Sequence, residues 1–481
     1  MGTQASRLLS YMEQLKQLFA QWAGIPCTEC LALGANGSSR RYYRLSNGTL
    51  TAIGCIADDL RENEAFFAFA RHFHAKGLPV PELYLIADDR RHYLQQDLGD
   101  QTLYGLLYDK QRQGGGFDAQ MLAFYKQALA DLAALQRGGA DLDFSLAYPR
   151  PDFDRQSILW DLNYFKYHFL KLLHIPFDEQ LLEDDFNSLA DYLLTADTNY
   201  FMYRDFQGRN IMVADKLYYI DFQGGRRGAA QYDVASLLYS AKSNLPEAIR
   251  RELLGHYLDV RNIRGDERRQ WIDHFWAYLL VRILQTLGAY GYRGLFERKD
   301  YFLQSIPLAI TNLQNLIQDH PLSISLPEIN RICRDAACSV SHLQSPTVDA
   351  LSPLTVTVQS FSYKQGLPTD PSGNGGGFIF DCRALPNPGR YPEYKAYTGK
   401  DRPVIEFLQK EPAVDHFLDH AEAIVSQSIE KYLERNFTSL QVSFGCTGGQ
   451  HRSVYCAEQL AARLSKKYPC NILLRHREQD R

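Results

Sequence analysis

The sequence predicts two domains in series: an α+β domain built from two lobes, followed by a separate, smaller α/β domain. Strand-and-turn patterns come first, a long and mainly helical stretch follows, and strands alternate with helices again near the C-terminus. Between the two regions the composition shifts to Pro, Ser and Cys, which is typical of a linker. We therefore divide the chain into residues 1–320, a linker at 321–352, and residues 353–481.

Composition narrows the class of protein. The chain has 481 residues, 45% hydrophobic and 22% charged, which suits about three folded domains or fewer. A net charge of -4 disfavours a generally basic nucleic-acid-binding protein, although local basic patches stay open. No apolar run reaches the roughly 18 residues that span a bilayer, so we expect a cytoplasmic protein that makes no membrane contact. The nine cysteines are expected to be reduced, and Cys27 and Cys30 lack the partner pair that a zinc site needs.

The first elements are a helix and a strand pair. Residues 6–24 have helical periodicity, and strand patterns at 31–33 and 41–45 flank a loop of small residues. Small residues let backbone amides approach an anion closely, and hydroxyl and guanidinium groups add donors. We predict that the loop binds an anion, although such turns are also common in plain hairpins. The predicted ligands are Ala35, Asn36, Gly37, Ser38, Ser39 and Arg40.

The next strand, residues 49–54, contains no lysine, and the helix after it opens with Glu62 and Glu64. Both acids suit the positive end of the helix dipole, and we favour that interpretation over a specific pairing. If the site needs a buried cation beside the loop, an arginine has to supply it. The candidates are Arg40, Arg41 and Arg44.

The helical stretch contains a hairpin with a distinctive set of polar residues. Four residues separate Asp205 from Asn210, and Asp221 follows two short apolar strands at 211–213 and 218–220. In such a loop the first Asp accepts the proton of an attacking hydroxyl, while the Asn and the second Asp supply oxygen ligands that Mg²⁺ prefers. The spacing therefore predicts a kinase that uses ATP and magnesium. A plain hairpin with surface Asp residues is the alternative.

With ATP as the phosphate donor, the earlier elements take definite roles. The loop at 35–40 would cover the phosphates. A strand pair at 83–86 and 93–99 ends in a turn that we interpret as the hinge between the lobes, where Gln96 and Leu98 are expected to contact the adenine.

Two further segments flank the hairpin. Asp233 opens a helix and is suited either to cap it or to brace the catalytic loop; we favour capping. The aromatic helix at 160–168 is interpreted as core, although its polar residues could face a substrate cleft.

Residues 25–320 resemble the aminoglycoside phosphotransferase-type kinases, on the branch that contains the bacterial anomeric N-acetylmuramate/N-acetylglucosamine kinases. The resemblance implies a protein-kinase-like fold and a small acceptor, with an amino sugar phosphorylated at its anomeric hydroxyl the leading candidate. It also implies that the strand lysine can be absent. Tyr203 departs from the family pattern, which usually has a mainly structural His there. The segments that carry the resemblance are 34–44, 94–99, 161–165, 205–210, 220–223 and 232–238.

The C-terminal region predicts α/β layers, with strand patterns at 354–361, 377–383 and 440–445 and an amphipathic helix at 414–434. After the last strand, a Gly-rich loop opens another helix. Amides at such a junction form a site for an anion, here a phosphate or a phosphosugar. The residues predicted to bind it are Cys446, Thr447, Gly448, Gly449, His451, Arg452 and Ser453.

Two other interpretations of this loop stay open. Five residues separate Cys446 from Arg452, which is the spacing of cysteine phosphatases, whose thiolate attacks a phosphoryl group. A purely structural turn is the other possibility. We favour binding without turnover.

Residues 354–481 resemble the C-terminal domain of the RNase adapter protein RapZ. The resemblance implies binding of a regulatory RNA and sensing of glucosamine-6-phosphate. Basic residues in this region are nearly balanced by acids, so RNA affinity resting on phosphate contacts would be modest. The matching segments are 360–368, 380–388, 397–401, 445–455 and 475–477.

The sequence thus favours an ATP- and Mg²⁺-dependent kinase for a small sugar-like molecule, joined to a module that senses a phosphosugar or binds RNA. The second hypothesis is a non-catalytic RNA or metabolite adaptor with a degenerate kinase fold. The missing lysine and Tyr203 favour the adaptor, whereas the intact metal-binding set opposes it.

Overall fold

The computed structural model describes residues 2–34, 40–297, 299–340, 354–369, 377–434, 437–468 and 470–479. It divides into two compact units. The first comprises Met1–Tyr292 and Ser305–Leu343, and the second comprises Arg293–Gln304 and Gln344–Arg481. We describe each unit by itself.

The first unit begins with a lobe dominated by an antiparallel sheet. Its elements are α1 (Gly2–Ala23), β1 (Glu29–Ala32), β2 (Arg41–Ser46), β3 (Thr51–Ile56), α2 (Leu60–Ala75), β4 (Leu83–Ile86) and β5 (His92–Gln96). The five strands lie in the order β1-β2-β3-β5-β4. Leu15 and Phe19 of α1 pack on the sheet, and Gly54 permits this because a Cβ there would lie 3.1 Å from the Leu15 side chain. The strands therefore form where their alternating apolar residues predict them.

The second lobe of this unit is mainly helical. Its helices, in chain order, are α3 (Leu103–Arg112), α4 (Ala119–Gly138), α5 (Arg155–Phe165), α6 (Glu179–Leu193), α7 (Gln231–Leu238), α8 (Glu247–Val260), α9 (Gly265–Tyr290), α11 (Ile306–Asp319) and α12 (Pro327–Val340). The short helix α10 (Asp300–Leu303) lies between α9 and α11 in the sequence and belongs to the second unit. Thr102, Asp118, Asp154 and Asp178 cap the N-termini of α3 to α6. Within the described part of the chain, no helix is both long enough and apolar enough to cross a lipid bilayer.

Two small strand pairs lie within the helical lobe and carry the catalytic hairpin. Strand β6 (Tyr200–Met202) pairs with β9 (Arg226–Gly228), and β7 (Ile211–Val213) pairs with β8 (Leu217–Tyr219), both antiparallel. The central helix α9 packs against α5 and α7. Gly288 allows the close approach to α5, because a Cβ there would lie 2.9 Å from the Phe165 amide nitrogen. These contacts fix the hairpin against the centre of the lobe.

The segment predicted as a linker, residues 321–352, contains helix α12, which belongs to the first unit. The Glu328 side chain accepts a hydrogen bond from the Asp178 amide at 2.7 Å, and Asp185 accepts one from the Ile329 amide at 2.8 Å. Apolar residues on one face of α12, Ile329 and Cys333 among them, are buried. The first unit therefore continues through this helix.

The second unit is a parallel sheet with helices. Its main elements are β10 (Thr355–Ser362), β11 (Phe378–Asp381), α13 (Arg402–Gln409), α14 (Pro412–Glu434), β12 (Ser439–Cys446), α15 (Arg452–Lys467) and β13 (Asn471–His476). The strands are parallel and lie in the order β11-β12-β10-β13. Both β12 and the first turns of α15 are buried, so the Gly-rich loop between them is held at both ends. The predicted α/β character is confirmed.

Candidate functional site

The catalytic hairpin brings three polar residues together. Asn210 lies just before β7, and its Nδ2 donates hydrogen bonds to the Asp205 backbone carbonyl at 2.9 Å and to Asp221 Oδ2 at 3.2 Å. Asp221 follows β8 and has a φ of 70°, a strained conformation for a residue other than glycine. Gln223 Nε2 donates to the other carboxylate oxygen of Asp221 at 2.7 Å. The hairpin therefore presents two carboxylates and one amide oxygen at a single mouth.

The two carboxylates have different electrostatic surroundings. Desolvation by the surrounding protein, and then the negative charge of Asp205, raise the pKa of Asp221 to about 6. Desolvation by the surrounding protein would also raise the pKa of Asp205, but Arg282, Arg209 and Arg204 hold it below its usual value. Asp205 is thus ionised, and its negative charge disfavours ionisation of Asp221. A hard-oxygen set of this kind fits Mg²⁺, with Asn210 and Asp221 as its ligands.

Asp233 braces the catalytic loop, which makes the preferred prediction of a helix cap wrong. Its carboxylate accepts hydrogen bonds from the backbone amides of Tyr203 at 2.7 Å and Arg204 at 2.9 Å. Helix α7 instead begins after Ala230, without a side-chain cap. The Arg204 backbone has a φ of 78°, so the loop turns sharply just before Asp205. Asp233 satisfies the two amides that this turn exposes.

Tyr203 occupies the position where the resembling family usually has His. Its side chain is buried, and its hydroxyl donates a 2.6 Å hydrogen bond to the Ile220 carbonyl. Ile220 directly precedes Asp221, so this bond ties the loop that contains Asp205 to the segment that presents Asp221.

Arginines surround Asp205 on its other side. Arg204 binds Asp161 of α5 through both terminal nitrogens, at 2.7 and 3.0 Å. Arg282 of α9 places Nη2 3.3 Å from Asp205 Oδ1 and donates through Nη1 to Gln285 at 2.6 Å. Sequence reasoning missed both pairs. Asp161 lies on a helix that was interpreted as core, with a cleft-facing polar side as the alternative, whereas Arg282 has no local signal in the sequence.

Arg40 is a buried cation whose charge acts on Asp221. Its side chain is buried; Nη1 donates to the Tyr93 hydroxyl at 2.7 Å, and Nη2 lies 3.5 Å from Glu62. The Arg40 charge also acts to lower the pKa of Asp221. Glu62 therefore has a specific partner in addition to its place in the first turn of α2, so the interpretation of it as a dipole-complementing acid is incomplete.

The two other candidate arginines point elsewhere. Arg44 binds the carboxylates of Asp97 and Asp100 at the hinge, with contacts of 2.8 and 2.9 Å. Arg41 is half-exposed and lies 3.9 Å from Asp58. Of these three arginines, Arg40 is the one whose charge lowers the pKa of Asp221.

The remaining predicted nucleotide ligands lie at the loop and the hinge. Residues 35–39 fall outside the described part of the chain. Gln96 is the last residue of β5, and its backbone amide donates to the Glu82 carbonyl at 2.8 Å. Leu98 packs with Met212 and Tyr218 of the catalytic hairpin. The hinge therefore contributes an apolar surface that is continuous with the hairpin.

In the second unit, Cys446 ends β12 at the start of the Gly-rich loop. Its Sγ lies 3.1 Å from Ser453 Oγ. Burial alone would raise the pKa of Cys446, but hydrogen bonds from the Ser453 hydroxyl and from the Ser453 and Gly449 amides hold it below its usual value. Thr447 and Gly448 are exposed at the tip of the loop. Donors therefore converge on the sulfur, beside an open tip.

Arg452 and His451, which are predicted to bind the anion, also form hydrogen bonds to a neighbouring segment. Arg452 Nη1 donates to the carbonyls of Arg383 at 2.8 Å and Leu385 at 3.1 Å. His451 Nε2 lies 3.0 Å from the Tyr394 carbonyl. Both side chains thus hold the neighbouring irregular segment against the loop, because that segment exposes carbonyls which need donors.

Each of the two units matches a different known family. The profile of the phosphotransferase enzyme family matches residues 29–272, which include Asp205, Asn210 and Asp221. This chain belongs to that family. The match confirms the predicted two-lobed, protein-kinase-like fold of the first unit of this phosphotransferase. The profile of the RapZ C-terminal domain matches residues 354–480, which confirms the second resemblance.

Relatives of this phosphotransferase share part of its length. A nucleotide-binding protein from Laribacter hongkongensis is 38% identical over 182 residues, covering 37% of this chain and 61% of the relative. One from Neisseria meningitidis serogroup B is 42% identical over 125 residues, covering 26% of this chain and 42% of the relative. The chain thus spans less than two thirds of either relative.

Solved structures similar to this phosphotransferase include two kinases. An ethanolamine kinase from Plasmodium vivax has a TM-score of 0.41 and 13% identity, covering 64% of this chain and 82% of that one. A thermostable mutant of an aminoglycoside phosphotransferase, without ligand, has a TM-score of 0.40 and 16% identity, covering 67% and 99%.

Proposed function

We propose that the first unit transfers a phosphoryl group from ATP to a hydroxyl of a small sugar-like acceptor. An amino sugar of the N-acetylmuramate or N-acetylglucosamine type, phosphorylated at its anomeric hydroxyl, is the leading acceptor. The observation that carries the proposal is the meeting of Asp205, Asn210 and Asp221 at one hairpin mouth. Hydroxyl activation and metal binding both need carboxylate or amide oxygens placed in this way.

Asp205 is the residue assigned to the acceptor hydroxyl. Its carboxylate stays ionised beside Arg282, and about half of its side chain is exposed, so a hydroxyl can reach it. A carboxylate in this state orients the hydroxyl and accepts its proton as the bond to phosphorus forms. The brace from Asp233 to the amides before Asp205 keeps that carboxylate in place.

Asn210 and Asp221 would hold magnesium. When bound, Mg²⁺ neutralises charge on the phosphates of the nucleotide. The hydrogen bond from Asn210 Nδ2 to the Asp205 carbonyl fixes the amide, so that its oxygen is presented together with the Asp221 carboxylate. The pair needs no further protein ligand, because Mg²⁺ usually keeps several waters.

Arg40 and the hinge would bind the nucleotide. A buried guanidinium that is anchored by Glu62 and Tyr93 and acts on Asp221 can take the part of the absent strand lysine. The loop at 35–39 directly precedes it in the sequence. At the hinge, Gln96 and the apolar surface around Leu98 would contact the adenine.

A screen for phosphorylation of amino sugars tests the proposal. The purified chain is incubated with Mg²⁺, ATP and one sugar at a time, and sugar-dependent ADP release is measured together with sugar phosphate by mass spectrometry. We expect release with at least one amino sugar. Absence of phosphate transfer across neutral, acidic and amino sugars would favour the non-catalytic adaptor instead.

For the second unit we propose binding of a small phosphosugar at the loop from Cys446 to Gly449, with Ser453 at the start of α15. Support comes from the donors that converge there, and from the resemblance, which implies glucosamine-6-phosphate as the effector. Calorimetry with glucosamine-6-phosphate tests this, and a phosphate-release assay that depends on Cys446 would indicate a phosphatase instead. RNA binding by this unit is proposed on the resemblance alone and is tested by titration with a structured RNA.

A further inference from the structure

The wall of the catalytic site beside Asp205 contains a cluster of guanidinium groups. Three guanidinium groups lie there, those of Arg204, Arg226 and Arg282. Ion pairs account for two of them, because Arg204 binds Asp161 and Arg282 approaches Asp205. The third guanidinium has no ion pair among the described residues.

Arg226 is the arginine without a carboxylate partner. Only 6% of it is exposed, and in the described part of the chain it forms no ion pair. Its Nε and Nη2 both donate to the Gly224 carbonyl, at 3.2 and 3.0 Å, which leaves Nη1 unused. Burial, and then repulsion from Arg204, lower its pKa to about 10. A buried guanidinium in these surroundings is costly unless an anion joins it.

The position of Arg226 places it at the catalytic loop. It is the first residue of β9, and its register partner on β6 is Met202, two residues before Arg204. The charges that act on it include those of Arg204, Asp161 and Asp205. The acceptor hydroxyl must lie at Asp205, so another part of the same acceptor can reach Arg226.

We propose that Arg226 binds a carboxylate of the acceptor, so that this site selects an acidic sugar over neutral or cationic ones. The inference rests on the proposed function and names the class of its substrate. A guanidinium matches a carboxylate with directional, charge-assisted hydrogen bonds, and an anion here gives Arg226 the ionic partner that it lacks among the described residues. A cationic acceptor would add a further positive charge to the same wall.

Two sugars that differ in one acidic group test this proposal. N-acetylmuramate carries a lactyl carboxylate that N-acetylglucosamine lacks, and we expect wild-type kcat/KM to favour N-acetylmuramate. The Arg226→Gln variant should lose this preference by about 10- to 100-fold, mainly through a higher KM, as expected for one charge-assisted hydrogen bond. The neighbouring Arg227, which pairs with Asp152 at the surface, gives the matched control: Arg227→Gln should keep the preference.

A second measurement needs no variant. The methyl ester of N-acetylmuramate keeps the bulk of the acceptor but not its charge, so the wild-type protein should lose a similar factor with it. Calorimetric titration of wild type and Arg226→Gln with N-acetylmuramate adds a readout that does not depend on turnover.

The outcomes separate the inference from the proposed function. Equal kcat/KM for both sugars in the wild type, or an equal loss for both in Arg226→Gln, would overturn the role of Arg226 and leave the kinase intact. An equal loss for both sugars in Arg226→Gln would indicate that the Arg226 guanidinium contacts the transferred phosphoryl group rather than the carboxylate of the acceptor. Phosphorylation of neither sugar, with no N-acetylmuramate binding, would overturn both.

Discussion

Replacing Tyr203 by Phe removes a single hydroxyl from the base of the catalytic loop. That hydroxyl donates to the Ile220 carbonyl at 2.6 Å, in surroundings where Tyr203 is 1% exposed. The ring contacts of Tyr203 with Phe206 and Phe222 survive in the variant. The change therefore isolates the contribution of one hydrogen bond.

The size of the effect follows from the carbonyl left behind. A buried acceptor that loses its donor costs about 1–3 kcal/mol of stability. Ile220 precedes Asp221, whose strained backbone depends on the position of this strand. If about 1 kcal/mol of the loss falls on the position of Asp221, kcat/KM for ATP should fall about fivefold.

Urea denaturation and steady-state kinetics measure the two effects. Tyr278→Phe is the matched control, because its buried hydroxyl also donates to a backbone carbonyl, that of Leu193 at 3.0 Å, but reaches α6 rather than the catalytic loop. We expect both variants to lose stability and only Tyr203→Phe to lose ATP turnover beyond the control. A Tyr203→Phe protein with wild-type stability and kinetics would refute the reasoning.

Three further predictions concern single side chains. Asp221→Asn should abolish Mg²⁺-dependent strengthening of nucleotide binding, since it removes the charged ligand; calorimetry with and without Mg²⁺ checks this, and an unchanged Mg²⁺ effect would contradict it. Asp233→Ala should lower the free energy of unfolding by about 2–5 kcal/mol, because two buried amides, those of Tyr203 and Arg204, lose their acceptor; denaturation midpoints decide it. Arg452→Met should lower the free energy of unfolding of the second unit by about 1–3 kcal/mol, because the carbonyls of Arg383 and Leu385 lose their donor. If the Arg452 side chain faced the ligand instead, the substitution would weaken anion binding and leave stability unchanged in denaturation measurements.

Local patterns predicted much of the catalytic site. The strands Ile211–Val213 and Leu217–Tyr219 form within one residue of their predicted places, because alternating apolar residues and a polar turn are neighbours in the chain. The same locality brings Asp205, Asn210 and Asp221 together. A hairpin fixes these distances before any tertiary packing is known.

Contacts between distant segments could not be predicted in this way. Arg282 reaches Asp205 across 77 positions, and Asp233 reaches Tyr203 across 30, in both cases through the packing of helices against the hairpin. Arg452 shows the same limit in the second unit. Its spacing from Cys446 is typical of an anion site, but spacing does not determine where a side chain points. Arg452 Nη1 donates to the nearby carbonyls of Arg383 and Leu385.

The central claim is that Asp205 activates an acceptor hydroxyl for phosphoryl transfer. Sugar-dependent ADP release by Asp205→Asn, compared with wild type and with Asp215→Asn on the exposed turn of the same hairpin, tests it most directly. We predict a loss of about 100-fold or more in Asp205→Asn, with nucleotide affinity retained and Asp215→Asn like wild type, because a positioned base contributes at least that much. Wild-type release by Asp205→Asn would contradict the assignment.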